Sequence, residues 1–320
     1  MKHVFVFDPK AFFNQQWKMD NILDGIGQFF RKQEKADFSI QFSRYRRNAM
    51  GLIQDETEKA SKGDEIRIYA IGGEEIFYDC INAVSHFHAV QLASVPYGDT
   101  SDFLRIFGKD KVEAFKDIPA LVKSGSLSTD VIRWGVNYAL SFCCIGINSA
   151  VSKKINDLKK RVNRGSFTFM SRILSALYMF MEAFNRQTAA QKYEVTVDDT
   201  KYSGQYSLIH IANIPYYAGK QTGVSEATPD DGLLDIAIIK SSHPLGTLAA
   251  VRKFTNGKKP KNGIYLQGKK ISIRCGSEMW FQLDNEFFKD SSISLNIVPN
   301  AVQIVAAPGL SYPIGSISAL

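Results

Sequence analysis

Arg67-Ile68-Tyr69-Ala70-Ile71-Gly72-Gly73-Glu74-Glu75-Ile76-Phe77-Tyr78-Asp79-Cys80-Ile81-Asn82 reads as a short apolar strand, a double-glycine turn and an amphipathic helix. Ile68, Ala70 and Ile71 suit a parallel strand buried on both faces. Gly72-Gly73 lets the backbone turn sharply and leaves room for a ligand to touch it. The free N–H groups at the start of the following helix point toward the turn, and such a terminus attracts phosphate. Taken alone, a strand-Gly-Gly-helix corner is more often only a corner, so the rest of the chain has to supply the function.

The chain has 320 residues, 45% hydrophobic and 22% charged, an ordinary globular balance with length enough for two domains. Met1-Lys2-His3-Val4-Phe5 runs directly into a strand-like segment and has no signal-peptide pattern. The longest apolar stretch, residues 167–184, is interrupted by Ser171, Arg172, Ser175 and Glu182 and repeats at helical spacing. It is expected to be a buried helix rather than a membrane span. Of the four cysteines, Cys143 and Cys144 are adjacent and face opposite sides of a strand, and none shows metal-ligand spacing, which fits a reducing cytoplasm. The formal net charge is +7, and the basic excess gathers at Arg44-Tyr45-Arg46-Arg47, in residues 153–164 and in residues 252–261. Such patches attract nucleotide, nucleic acid or an acidic membrane surface, or they are simply solvated faces. No nucleic-acid motif with interleaved aromatics accompanies them, so no nucleic-acid partner is expected.

In chain order, Val4-Phe5-Val6-Phe7 predicts a first strand, ended by Asp8-Pro9-Lys10-Ala11. A helix is expected over 18–35 with Ile22, Leu23, Ile26, Phe29 and Phe30 on one face, then a strand over 38–42 and a helix over 47–61. After the Gly72-Gly73 unit come a strand over 89–95, stopped by Pro96-Tyr97-Gly98, and a short helix over 102–107. This alternation implies a parallel sheet covered by helices. Beyond residue 128 the rhythm changes to strands over 130–134, 138–145, 193–197, 202–212, 234–239, 268–274, 278–283 and 293–298, with one helical insertion over 152–186. The expected fold is α/β plus all-β: an N-terminal Rossmann-like α/β domain, residues 1–125, and a C-terminal antiparallel β-sandwich or open barrel, residues 126–300. Lys123-Ser124-Gly125-Ser126 has linker composition, and a return of residues 301–320 to the first domain is left open.

Several separated motifs fall into one order: Phe7-Asp8-Pro9-Lys10-Ala11, the Gly72-Gly73 unit, Pro96-Tyr97-Gly98-Asp99-Thr100-Ser101-Asp102-Phe103-Leu104-Arg105, Asp231-Gly232-Leu233-Leu234-Asp235 and Asp284-Asn285-Glu286. In this the chain resembles the diacylglycerol kinase catalytic family of bacterial lipid kinases, which also includes sphingosine kinases and is distantly related to NAD kinases. The resemblance runs over nearly the whole chain. In the family's GGDGTxxExxN loop, Gly72, Gly73 and Asn82 match, Glu74 stands at the aspartate and Asp79 at the glutamate, while Glu75 and Ile76 replace the third glycine and the threonine. In PxGTxNDFxR, Pro96, Gly98, Asp102, Phe103 and Arg105 match, while Asp99 and Ser101 depart. In NPxSG only Pro9 matches, with Asp8 and Phe12 at the asparagine and the last glycine.

The resemblance implies phosphoryl transfer from ATP, with Mg2+, to a lipid hydroxyl. It implies Glu286 as general base and Asp102 as a further catalytic group. Pro9, Gly72, Gly73, Glu74, Asp79, Asn82 and Gly98 would then line the nucleotide, and Asp231 and Asp235 would form a metal-linked acidic loop. A turn cap is nearly as good a reading of Asp231 and Asp235, because Asp-Gly is a common turn signal. The implied partner is a lipid substrate at the cytoplasmic face of the membrane, met by peripheral contact, with homodimerisation open. Glu75, placed where a glycine should bring backbone against phosphate, would repel it by roughly 4 kcal/mol at about 4 Å and an effective dielectric near 20. Weakened ATP binding is therefore expected. A family member that binds lipid or nucleotide without catalysis is the alternative reading. NAD kinase-like phosphorylation of a soluble substrate is a third, disfavoured by the Asp-Asn-Glu element and the lipid-kinase-like second domain.

Overall fold

The computed structural model describes residues 1–32, 37–45, 47–59, 65–84, 90–98, 102–159 and 167–313. The first half runs β1 (Lys2–Phe7), α1 (Gln16–Arg31), β2 (Asp37–Phe42), α2 (Asn48–Lys59), β3 (Ile66–Gly72), α3 (Glu74–Val84), β4 (Val90–Pro96) and α4 (Ile118–Lys123), with single-turn helices over Pro9–Phe12 and Phe103–Phe107. The expected helix ends over 33–35 and 60–61, and the strand start at 89, lie outside the described residues. The strands pair in parallel in the order β2-β1-β3-β4. β3 is buried at every position, as a central strand covered on both faces must be. α1 buries Met19, Ile26 and Phe30 at helical spacing against this sheet. α3 is buried from Ile76 to Val84, because it lies between its own sheet and the second half of the chain.

The second half runs β5 (Ser126–Trp134), β6 (Asn137–Ala139), β7 (Phe142–Gly146), α5 (Ile147–Lys159), α6 (Phe167–Phe184), α7 (Arg186–Ala189), β8 (Gln191–Val197), β9 (Thr200–Ala212), β10 (Tyr216–Tyr217), β11 (Lys220–Gln221), β12 (Leu234–Lys240), α8 (Pro244–Phe254), β13 (Gly263–Gly268), β14 (Lys270–Leu283) and β15 (Glu286–Val305). β7 and β8 each pair antiparallel with both β9 and β14, so the strands wrap around a core that includes Cys143, Ile209, Ile236, Ile273 and Phe281. The opposite strand faces, with Cys144, Leu208, Ala237 and Ile239, pack under the helices around Phe254. Adjacent Cys143 and Cys144 thus enter different cores, as a two-residue strand period requires.

The last strand ties the halves together. β15 pairs with β14 and β5 antiparallel, and its end lies parallel to β4 at Gln303↔Gln91 and Ile304↔Leu92. No free linker separates the halves, since α4 ends at Lys123, β5 begins at Ser126, and Ala306 N–H donates to the Gly125 carbonyl.

Four sequence expectations change. The strand expected over 138–145 is broken at Leu140-Ser141, where the Asp284 carboxylate takes the N–H groups of Leu140, Ser141 and Phe142. The two strands expected over 268–283 are one strand, β14, with a register shift between Arg274 and Met279. β13 and α8 add a strand and a helix where only connections were expected. Finally, α6 is not a buried helix: an arc of its large apolar side chains is exposed.

Candidate active site

The loops after β1, β3 and β4 pack on one another, and Arg47 after β2 and Glu74 after β3 face the β14–β15 turn. The glycines there are required by the packing of loop on loop. A Cβ added at Gly98 would lie 2.3 Å from the Gly73 Cα, and one at Gly72 would lie 2.9 Å from the Asp8 Cβ. Tyr97 N–H donates to the Gly72 carbonyl (2.8 Å) and Asp8 N–H to the Ile71 carbonyl (2.9 Å). Asp8 also accepts from Lys10 N–H (3.0 Å), with Pro9 opening the short helix behind it, a position suited to a residue without an N–H. Phe12 is buried, with its ring 5.2 Å from that of Tyr97 and 6.4 Å from that of Phe7. Ile76 is buried at the same corner.

The two adjacent glutamates behave differently. Glu75 is exposed, and it is not among the left-handed residues, so its side chain sits there without backbone strain. Glu74 turns inward instead, and its carboxylate accepts from Asp102 N–H at 2.5 Å. Asp102 is buried and accepts from Gly219 N–H (2.7 Å), with the Arg105 guanidinium 3.8 Å away. Burial, reinforced by the Glu74 charge, raises the Asp102 pKa to about 7, against the opposing pull of the Gly219 hydrogen bond and of Arg105. The second loop is therefore stitched to α3 on one side and to the β10–β11 hairpin on the other.

Asn82 makes the other link across the halves. Its amide donates to the Tyr138 carbonyl (2.9 Å) and accepts from Tyr138 N–H (2.8 Å), and it also donates to Tyr78 O (3.1 Å). These bonds hold α3 against β6, so Asn82 is placed as a pin between the halves. Asp79, one turn from Asn82 toward the helix start, is buried beside Tyr78. The Tyr78 hydroxyl is buried, and its pKa is raised by burial first and then by the Asp284 charge, with Arg47 opposing.

Glu286 opens β15 and is buried, with the Arg47 guanidinium 3.9 Å from its carboxylate. Asp284, two residues earlier, accepts from Leu140, Ser141 and Phe142 N–H at 2.7–3.0 Å. Its pKa is raised to about 7 by burial, with those hydrogen bonds opposing and the Glu74 charge assisting. Glu74, Tyr78, Asp79, Asp102, Asp284, Glu286 and Arg47 thus form one charge-dense junction, buried except for half-buried Glu74 and exposed Arg47. Three of the six left-handed non-glycine residues among those described belong to it: Arg47 (φ 61°), Asp284 (φ 47°) and Ala218 (φ 49°), the last beside Gly219. Backbone strain of this kind collects at functional sites. Sequence reading missed Arg47 and Tyr78 as site residues; the basic Arg44–Arg47 run was the available signal for the first.

Asp231 and Asp235 are built differently. Asp231 accepts from Leu233 N–H (2.9 Å) within its own turn. Asp235 accepts from the Gln267 amide (3.2 Å), and burial raises its pKa to about 6. The turn between them is held by buried Asp130, which accepts from Gly232 N–H (2.7 Å) and Asn300 N–H (2.8 Å). Among the described residues no three His, Cys, Asp or Glu side chains converge as a metal site.

A parallel sheet, a wrapped antiparallel domain and a carboxylate-rich junction between them define a two-lobed phosphotransferase-like fold. Residues 141–306 match the family described as the YegS C-terminal NAD kinase beta sandwich-like domain. A Staphylococcus aureus (strain Mu3 / ATCC 700698) protein named "Putative lipid kinase" is 26% identical over 308 residues, covering 93% of this chain and 97% of its own. Two Bacillus anthracis str. Sterne structures share the fold. One, titled a diacylglycerol kinase, superposes with TM-score 0.68 at 18% identity over 97% of this chain and 98% of its own. The other, titled "A putative diacylglycerol kinase", does so with TM-score 0.72 at 20% identity over 97% and 98%. The chain belongs to the diacylglycerol kinase-like lipid kinase family. The divalent metal that such a family usually uses would be held at the Asp231–Asp235 turn by carboxylate oxygens, of which Asp235 Oδ2 is buried without a hydrogen-bond partner among the described residues. No helix among the described residues is long and apolar enough to cross a membrane.

Proposed function

We propose that the chain transfers the γ-phosphoryl group of ATP to a lipid hydroxyl at the junction between its lobes. The observation that carries this reading is Glu286: a carboxylate buried at the junction, beside the Asp284 turn and 3.9 Å from Arg47. Burying an acid among other acids is costly, and such arrangements are kept where a proton must be taken up. In the proposed step the lipid hydroxyl gives its proton to Glu286 as its oxygen bonds to the γ-phosphorus. The bond from that phosphorus to the β-bridging oxygen breaks, and ADP leaves. Arg47 orients the Glu286 carboxylate. Gly72, Gly73 and Gly98 keep the loop backbones close enough for their remaining N–H groups to meet phosphate. Magnesium is treated as part of the nucleotide, held mainly by its phosphates.

A second reading, lipid or nucleotide binding without turnover, is favoured by the Glu74–Asp102 contact, in which a carboxylate already takes an N–H that phosphate would use. One experiment separates the two. The protein is incubated with γ-labelled ATP and a mixed lipid extract, beside Glu286→Gln. Label entering lipid only with the wild type supports the kinase. Label with both removes Glu286 as the base, and no label with either supports the binding reading.

A further inference from the structure

We propose that α6 docks the protein on an anionic bilayer by laying its outer arc into the lipid interface. Ile173, Leu177, Phe180, Met181 and Phe184 are 56, 51, 47, 51 and 53% exposed. At 100° per residue they fall within one arc of about 100°. The phenyl rings of Phe180 and Phe184 lie 5.0 Å apart and make the arc continuous. The opposite side is already committed: Tyr178 and Met179 pack on the helix-covered core, and Ala183 and Glu182 are buried. The helix is thus apolar on two faces and only one of them is covered. Soluble surfaces rarely carry so continuous an apolar stripe without a partner.

Charge selects the occupant. Residues 147–186 contain eight basic residues against two acids, Asp157 and Glu182. Both acids are taken by α5 lysines, Asp157 by Lys153 at 2.6 Å and Glu182 by Lys154. Eight bases less two acids leave this stretch of sequence with a formal charge of +6. Lys153 also lies 4.4 Å above the ring of Trp280, which is itself partly exposed on β14, an arrangement suited to a lipid headgroup layer. An apolar arc with basic flanks is the build of a helix that lies in the plane of an anionic membrane surface. A second copy of the chain fits less well. The stripe offers on the order of 400 Å² of apolar surface, about half of what each partner of a standard interface buries, and pairing two such hairpins would bring like charges together.

The inference touches the kinase reading only in that a lipid kinase must reach a bilayer, and it is tested without nucleotide. The full chain is sedimented with vesicles of 70% phosphatidylcholine and 30% phosphatidylglycerol, and with pure phosphatidylcholine. The wild type should partition at least tenfold more strongly onto the anionic vesicles, and raised salt should reverse this. Leu177→Asp with Phe180→Asp, at two exposed positions, should lose at least tenfold while keeping the wild-type circular dichroism melt. Hydrogen exchange on the wild type provides a second measurement: vesicles should protect α6 amides in 173–184. Equal partitioning of variant and wild type, no wild-type binding, or a dimer that the variant converts to monomer without changing vesicle binding would each overturn the proposal. A wild type that binds vesicles yet labels no lipid overturns the kinase alone, whereas one that labels lipid in detergent without binding vesicles overturns the docking alone.

Discussion

Glu74 takes up a backbone donor of the loop proposed to meet phosphate, and replacing it offers the sharpest test of the junction. Its carboxylate accepts from Asp102 N–H at 2.5 Å, and its charge raises the Asp102 pKa. Glu74→Ala removes an anion from the rim of the proposed phosphate site and frees one backbone donor. If a phosphate charge sits about 4 Å from the Glu74 carboxylate, the relief is roughly 4 kcal/mol at an effective dielectric of 20; at about 8 Å it is roughly half that. A freed N–H that bonds phosphate adds about 1.5–3 kcal/mol before the loop's own losses are subtracted. Calorimetric titration with Mg-ATP at pH 7.5 should therefore show binding tightened by about 30- to 1,000-fold. Glu75→Ala, at the exposed neighbour, should change affinity by less than about threefold, since a solvated charge at the rim is screened. Weaker binding in Glu74→Ala would refute the reasoning, because it would make Glu74 a ligand of the nucleotide or its metal rather than a competitor for that donor.

Two further outcomes follow from the same geometry. Asn82→Ala should cost about 2–4 kcal/mol in urea unfolding, because it strands the buried N–H and carbonyl of Tyr138; an unchanged midpoint with weakened nucleotide binding would return Asn82 to the nucleotide. For pH, the folded-state pKa of Asp102, raised from 3.8 to about 7, means that the native protein keeps a proton over that window which the unfolded chain releases. Its contribution to stability is therefore complete below about pH 4 and is lost as pH rises toward 7. Relative to Asp102→Asn, the wild type should lose ~3 kcal/mol between pH 4.5 and 7.5. A difference that stays constant across urea melts at those two pH values would exclude the shift.

The parallel half was legible in sequence because its central strands carry continuous apolar runs, Val4–Phe7 and Ile68–Ile71, which a doubly covered sheet buries. The missed elements carry turn chemistry. Ser242-His243-Pro244-Leu245-Gly246 looks like a loop, yet Pro244 opens α8 and the His243 ring caps it by accepting from Gly246 N–H at 3.2 Å. β13 is a short run between glycines, held by its full pairing with β12. Within the site, the motif positions could be read but their partners could not. Asn82 meets Tyr138 at a separation of 56 residues, and Asp284 meets Leu140 at 144. Such contacts follow from how the halves are docked, which no local pattern encodes. The exposure of α6 was misread for a related reason: helical periodicity tells which residues share a face, but not whether that face is covered.

The departures from the family motifs look scattered in sequence and are adjacent in space. Phe12, at a glycine position of the first loop, packs its ring on Tyr97 of the second. Ile76, at a threonine position of the double-glycine loop, sits where a Cβ on Gly72 would come within 3.0 Å, beside Asp8, the residue at the first loop's asparagine position. Glu74, at the aspartate, bonds the backbone of Asp102 in the second loop. Each substitution thus fills space or satisfies a donor that belongs to another loop. What the three loops have acquired is a packed, hydrogen-bonded contact among themselves, while the glycines that allow their backbones to touch were kept. Loops that pack and bond to one another in this way hold a defined shape, and Glu74 engages one of the backbone donors that a ligand at the proposed site would compete for.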